Sequence, residues 1–384
     1  MTDRTAGASA PLRLPSYIPE LDGLRGLAIA SVLVYHCHPK LHHFGLDAVA
    51  QWGWVGVNLF FVLSGFLITG IIADSRSDSR FFRNFYARRA LRIWPVYVLL
   101  LLLHYLVVPI VFTGNIGWTW QQIKAAPWLH YALFIQNLSF LALPGTIGPT
   151  WSLAIEEQFY LVWAPVARFI RNSALVPMLT AIIIASPIIR AIYAGRLSPT
   201  HTLLHLDGLA IGALVALSLR SYNLSRLAWR RIANAALTCG VVGAVAMVFR
   251  GSGLTDSLLA VGFGGMLISG LLANSAPNAY NGFLTARPLK FLGTISYGLY
   301  MIHILVFVTI GDFDLKMTPY GALGDFAVVG VRLALSIGAA SLMWYGFERP
   351  ILTLKHYFIR KESARAEEST TPQMVPAELQ VVAE

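Results

Sequence analysis

Long apolar runs separated by short polar or basic stretches recur along the whole chain, near residues 24–38, 52–73, 94–113, 128–143, 150–168, 174–193, 203–219, 232–249, 255–273, 289–310 and 324–347. Most approach the ~20 apolar residues that an α-helix needs to cross the hydrocarbon of a bilayer. The pattern predicts an all-α, polytopic bundle of transmembrane helices. The run 128–143 is shorter and is bounded by Pro127, Pro144, Gly145 and Pro149, so it is expected to be interfacial or re-entrant. Backbone that leaves helical geometry at membrane depth must be buried in protein or line a wet cavity, which places this segment beside one.

Charge decides the number of crossings. The stretch 74–92 carries Arg76, Arg80, Arg83, Arg88, Arg89 and Arg92, so it is assigned to the cytoplasm together with an N-terminus that carries Arg4 and Arg13. Eleven crossings would leave Arg220, Arg226, Arg230 and Arg231, and later Lys355, Arg360, Lys361 and Arg365, on the outside. Removing one crossing between residues 114 and 168 returns both groups to the cytoplasm and sends Asp312 and Asp314 outside. About ten membrane-spanning helices are therefore expected, with both termini cytoplasmic. The chain divides into a polar N-terminal tail (1–16), a transmembrane domain (17–358) and a charged, aperiodic, disordered cytoplasmic tail (359–384). The first apolar helix lacks a small-residue cleavage site and reads as an uncleaved anchor.

Composition agrees: 56% of the 384 residues are apolar, 12% are charged, and the mean hydropathy is +0.61. The net charge of +10 follows from arginines at the ends of apolar segments, which argues against nucleic-acid binding. Cys37 and Cys239 lie in separate segments and indicate neither a disulfide framework nor a zinc site. No internal repeat is visible.

The first apolar segment holds Arg25 and His36, eleven residues apart. At 3.6 residues per turn that spacing returns to within about 20° of the same face after a rise of roughly 16 Å, so Asp22, Arg25, Ile29, Val32 and His36 form one stripe. Three further stretches accompany it: Gly56-Val57-Asn58-Leu59-Phe60-Phe61-Val62-Leu63-Ser64-Gly65-Phe66, Arg88-Arg89-Ala90-Leu91-Arg92-Ile93-Trp94-Pro95, and Trp151-Ser152-Leu153-Ala154-Ile155-Glu156-Glu157-Gln158-Phe159. In order and spacing the four stretches resemble the acyltransferase-3 family of integral membrane O-acyltransferases, over roughly residues 17–350. Later features fit the same resemblance: Asp207-Gly208 with Gly212, Ile295 to His303, and Phe347-Glu348-Arg349-Pro350.

The resemblance implies a bacterial inner-membrane enzyme that acylates a hydroxyl of a carbohydrate or glycoside, such as a unit of a surface polysaccharide. Acyl-CoA, with acetyl-CoA expected, would be a co-substrate and not a bound cofactor. The chain ends without the extracytoplasmic hydrolase-like domain of some members, so transfer is expected to be direct. Such a reaction needs a base, oxyanion donors and a cationic cradle for phosphates. His36 is assigned as the general base, the alternative being a packing histidine bonded across helices. Arg25 either contacts the donor, with Asp22 fixing its direction, or is simply neutralised by Asp22. Arg88, Arg89 and Arg92 are read as an exposed basic surface for the coenzyme's phosphates ahead of a helix opened by Pro95, whereas Arg76, Arg80 and Arg83 suit anionic lipid.

Glu156 and Glu157 point about 100° apart in an apolar helix, so at least one is expected to face the cavity, toward its outer half, where it would bind the acceptor. The alternative is a structural partner for a helix arginine such as Arg190. Asn58 is placed at the depth of His36, where it would fix the tautomer. Asp207 and His303 fall at the same outer level, as acceptor contacts or as helix-packing groups. His38, His42 and His43 are read as solvated, and most tryptophans, including Trp118 and Trp120, as interfacial anchors. Two other classes remain open at this point: a transporter or flippase for a glycolipid or small glycoside, and a scaffold in which no single polar residue matters.

Overall fold

A computed structural model describes residues 17–111, 127–138, 145–250, 253–273 and 279–358. The two expected tails, 1–16 and 359–384, lie outside the described residues, as do Trp118 and Trp120. All regular structure among the described residues is helical. Among the described residues ten helices have sixteen residues or more: α1 (Pro19–Cys37), α2 (Gly56–Ser75), α3 (Phe81–Leu102), α4 (Thr150–Phe169), α5 (Asn172–Tyr193), α6 (Leu206–Ser221), α7 (Arg226–Arg250), α8 (Gly253–Ala273), α9 (Arg287–Thr309) and α10 (Gly321–Met343).

Seven stretches built on α2, α3, α5, α7, α8, α9 and α10 are long and apolar enough to cross a membrane. The other three have identifiable reasons for falling short. Helices α1 and α4 carry Asp22, Arg25, Glu156 and Glu157, and α6 has only sixteen residues. All three are largely buried in the bundle, where protein and not lipid meets those polar groups.

Glycines set how the central helices meet. A Cβ on Gly23 or Gly26 of α1 would stand within 3.0 Å of the backbone of Leu284 or Leu289, and one on Gly293 would meet the carbonyl of Asp22. Helix α1 therefore lies backbone to backbone along α9, and the contacts rise from Asp22–Gly293 to His36–His303, so the two run parallel. The same device, with Gly65 against Leu209 and Gly212 against Val62, joins α2 to α6, and the contacts rise from Phe61–Gly208 to Gly70–Arg220, so this pair is parallel too. Serine and aromatic contacts join α2 to α4, Ser64 with Glu156 and Thr69 with Trp163, again in parallel. Parallel neighbours between non-consecutive helices are what an up-and-down chain produces when segments reverse at each turn.

The run 128–143 supplies only a short helix, Trp128–Ala132, and then turns through Phe134, whose φ of 53° is left-handed. Gln158 of α4 donates to Phe134 O (2.7 Å) and to Asn137 Oδ1 (2.8 Å), and Tyr97 donates to Tyr131 O (2.8 Å). These bonds dock residues 128–138 onto the bundle. Residues 139–143 of that run lie outside the described residues, as does Pro144.

Three sequence expectations are corrected. Helix α3 begins at Phe81, so Arg83 to Arg92 are helical and Pro95 sits inside the helix instead of opening it. The acidic loop holding Asp314 is a short helix, Gly311–Met317, and Asp314 forms an ion pair with Arg332 of α10. His43 is not merely solvated: its Nδ1 lies 2.8 Å from Asp325 Oδ2, and Lys40 lies 3.3 Å from the other oxygen.

Candidate active site

A chamber opens where α1, α2, α3, α4 and α9 converge, with an empty volume of about 820 Å³ counting its open mouth. Arg25 enters from α1, Arg89 and Arg92 from α3, Glu156 and Tyr160 from α4, and Tyr297 and Tyr300 from α9. Phe60, Phe61 and Leu63 of α2 supply apolar wall. Arg89 and Arg92 thus face a protein cavity, a correction to the exposed basic surface read from the sequence. One turn of helix explains it: positions 85, 89, 92 and 93 share the face that α3 turns inward.

Glu156 shares this chamber with the arginines. Its carboxylate accepts from Ser64 Oγ (2.9 Å) and Tyr160 Oη (2.6 Å), and the Arg89 guanidinium stands 5.2 Å from the centre of the Tyr160 ring. A separate outer level for the carboxylates is therefore not what the helices build. Glu157 points elsewhere, beside the Trp94 indole, and does not line the chamber. Arg25 Nη1 donates to Asp22 Oδ1 at 2.8 Å, and Arg25 also lines the cavity.

A second hollow of about 970 Å³, including its mouth, lies among α1, α2 and α6 and shares Arg25 and Leu67 with the first. Tyr17, Asp22, Asp74 and Arg220 wall it, with Arg220 held by Asp74 at 2.6 and 2.8 Å. Arg25 stands between the two spaces.

The far end of the chamber is Tyr300. Its hydroxyl lies 2.7 Å from Ser152 Oγ, and one turn along α9 stands His303, fully buried. His303 Nδ1 is 2.7 Å from Tyr300 O, and its Nε2 is 3.3 Å from His36 Nδ1. His36 Nδ1 is also 2.9 Å from Val32 O. A carbonyl only accepts, so both Nδ1 atoms carry protons, and His36 Nδ1–H is shared between Val32 O and His303 Nε2. The lone pair of His36 Nε2 is then left without a hydrogen bond among the described residues. His36 itself does not line the chamber; Tyr300 and His303 stand between them.

Two more candidates are relocated. No hydrogen bond joins Asn58 to His36 among the described residues, and His303 occupies the partner's place instead. Asp207 is buried outside the chamber, bound by Arg190 Nη2 (2.6 Å) and Ser257 Oγ (2.6 Å). Asp207, and not a glutamate, is the partner of Arg190; the pair ties α5, α6 and α8 together. Arg88 stays partly buried beside the chamber and donates to Asn84 O (3.2 Å). Among the described residues one group has metal-ligand spacing, His42, His43 and Asp325 within 4.8 Å, but Lys40 already places a cation there.

Sequence reading missed Ser64, Ser152, Tyr160, Tyr297 and Tyr300, although four of the five lie inside the stretches quoted for the resemblance. Their hydroxyls carry no charge, so only their placement distinguishes them from packing residues.

The acyltransferase-3 family model, which describes an acyltransferase domain, matches residues 18–345. The putative peptidoglycan O-acetyltransferase YrhL of Bacillus subtilis is 28% identical over 365 residues, covering 88% of this chain and 55% of its own. The peptidoglycan O-acetyltransferase OatA of Listeria monocytogenes is 28% identical over 316 residues, covering 75% and 49%, and the O-acetyltransferase OatA of Staphylococcus aureus is 28% identical, covering 88% and 57%. The chain thus spans about half the length of the curated relatives it matches. No solved structure matches it. A match of this length shows the family: the chain belongs to the acyltransferase-3 family.

Proposed function

We propose that the chain transfers an acetyl group from acetyl-CoA to a hydroxyl of a carbohydrate, with His36 as general base. Ten crossings with both termini cytoplasmic belong to the same reading, supported by the ten long helices and by the basic groups Arg76, Arg168 and Arg220 that gather at the C-terminal ends of α2, α4 and α6. The observation that carries the proposal is the chamber itself. Arginines of two helices line it, and its opposite end reaches Tyr300, one turn from the paired histidines.

The donor enters past Arg25, and Arg25, Arg89 and Arg92 hold its phosphates by charge-assisted bonds. The thioester extends toward Ser152 and Tyr300, whose hydroxyls bond each other and Pro149 O, so one of them turns from that carbonyl to donate to the developing oxyanion. With the Tyr300 ring displaced from between His36 and the chamber, His36 Nε2 takes the acceptor hydroxyl proton as that oxygen bonds to the acyl carbon. The tetrahedral intermediate expels the coenzyme thiolate, which recovers the proton from the imidazolium, leaving ester, free thiol and neutral histidine. The acceptor is of the carbohydrate class; the relatives named for peptidoglycan make glycan strands the first acceptor to offer.

Purified protein in nanodiscs, given radiolabelled acetyl-CoA and glycan fragments, tests this reading. Label should reach an alkali-labile ester in wild type and not in His36→Ala, and Arg89→Ala should raise the KM for acetyl-CoA. Undiminished transfer by His36→Ala would remove the base from the scheme.

A further inference from the structure

At the C-terminal end of the described chain, the turn Thr353–Phe358 packs against α3 and carries Lys355 to the basic side of the chamber. Lys355 is half-buried. The strongest charges acting on it are those of Arg92, Arg89, Arg88 and Arg25, all cations. Lys355 has no ion pair or hydrogen bond among the described residues. Asp22 answers Arg25, Asn84 O takes a bond from Arg88, Arg89 and Arg92 share the chamber with Glu156, and no carboxylate among the described residues pairs with the ammonium. A half-buried ammonium among four guanidiniums costs free energy unless an anion joins it, and a tetrahedral phosphate with several acceptor oxygens suits such a crowd. Sequence position gave no hint, because Lys355 lies more than 260 residues from the arginines and in a stretch whose charges mark only topology.

We propose that Lys355 and Arg88 form a second anion position, just outside the chamber, that takes a phosphate ester of the donor's nucleotide end while Arg89 and Arg92 hold phosphate inside. This rests on the acyl-CoA reading above and assigns a part of that site to the C-terminal turn. Neither residue lines the chamber, so their contribution is to donor affinity, with the acyl carbon left where it was.

The test uses the full chain in nanodiscs of neutral lipid, with wild type, Lys355→Gln, Lys355→Arg and Arg89→Ala, and two readouts: KM and kcat for acetyl-CoA, and inhibition by adenosine 3′,5′-bisphosphate, which carries phosphates and no thioester arm. Lys355→Gln relieves repulsion and is expected to fold. It should raise both the KM and the inhibition constant by roughly tenfold, the worth of one charge-assisted hydrogen bond, with kcat retained, and Lys355→Arg should stay near wild type. An unchanged KM, a raised KM with unchanged inhibition by the bisphosphate, or an effect that appears only with anionic lipid would overturn the proposal. If Arg89→Ala also leaves the acetyl-CoA KM unchanged, the donor reading itself fails; if Arg89→Ala raises it and Lys355→Gln does not, the second anion position alone is lost.

Discussion

His303 Nε2 accepts a share of the His36 Nδ1 proton across 3.3 Å, joining two histidines from helices far apart in the chain. Because His303 Nδ1–H is itself tied to Tyr300 O, the acceptor atom is fixed toward His36, and the free lone pair of His36 is turned away from both. His36→Ala is expected to lower acetyl transfer by about 10²–10⁴-fold, the usual worth of a general base. His303→Phe keeps the bulk and removes the acceptor, so it should lower kcat by a smaller factor with little change in the KM for acetyl-CoA. Its pH–rate profile should also change on the acid limb, a readout that loss of packing alone would not move.

Contact between those histidines depends on α1 lying against α9, and that contact depends on glycine. Gly26→Ala or Gly293→Ala would drive a methyl into the backbone of the facing helix, where no rotamer change gives relief. Each should cost about 1–3 kcal/mol or more and lower the Tm in detergent, with activity falling as His36 and His303 separate. Gly330→Ala in α10 meets nothing within 4 Å and serves as the control; it should leave Tm unchanged or raise it slightly.

How much of this was readable beforehand follows from whether one helix or two define the feature. The Arg25–His36 stripe lies within α1, so periodicity alone fixes it. The run 128–143 declares itself by length and flanking prolines. The His36–His303 contact joins positions 267 apart, and its only local trace is a set of glycines that read equally well as helix packing. Asn58 was placed beside His36 from depth alone, but depth leaves the angle about the helix axis free. Arg89 and Arg92 were expected on a surface because charge in a short stretch looks solvated until a neighbouring carboxylate and tyrosines are known to cover it.

Asp207 separates structural from functional acidity. Its carboxylate is held by Arg190 and Ser257 and faces no cavity, so Asp207→Asn is expected to leave the KM for acetyl-CoA unchanged while destabilising the fold. Asp256, 4.0 Å from Arg190 Nε, remains, so the loss should fall below the roughly 3–5 kcal/mol of a buried charge left wholly unpaired. Thermal unfolding with donor-binding measurements decides it: a normal Tm with weakened binding would return Asp207 to the site.

Gln158 stands directly after the two glutamates, yet its work is to hold the short helix Trp128–Ala132 and the turn that follows. Its amide donates to Phe134 O and Asn137 Oδ1, and its carbonyl accepts from the Thr202 hydroxyl, so one side chain satisfies partners on two connecting segments. Asn137 is fully buried and also donates to Thr200 O and Thr202 Oγ1, which makes the cluster a closed network. Gln158→Leu matches the volume and removes all three bonds, at about 1–3 kcal/mol for each buried group left unpaired. The penalty falls on the docked segment and not on the ten long helices. Hydrogen exchange should accelerate across residues 128–138 while α2 and α9 keep their protection, and acetyl transfer should fall only as far as the opened segment admits water to the Ser152–Tyr300 end of the chamber. Exchange that rises uniformly through the bundle would mean that Gln158 supports the fold as a whole and not the docking of this segment.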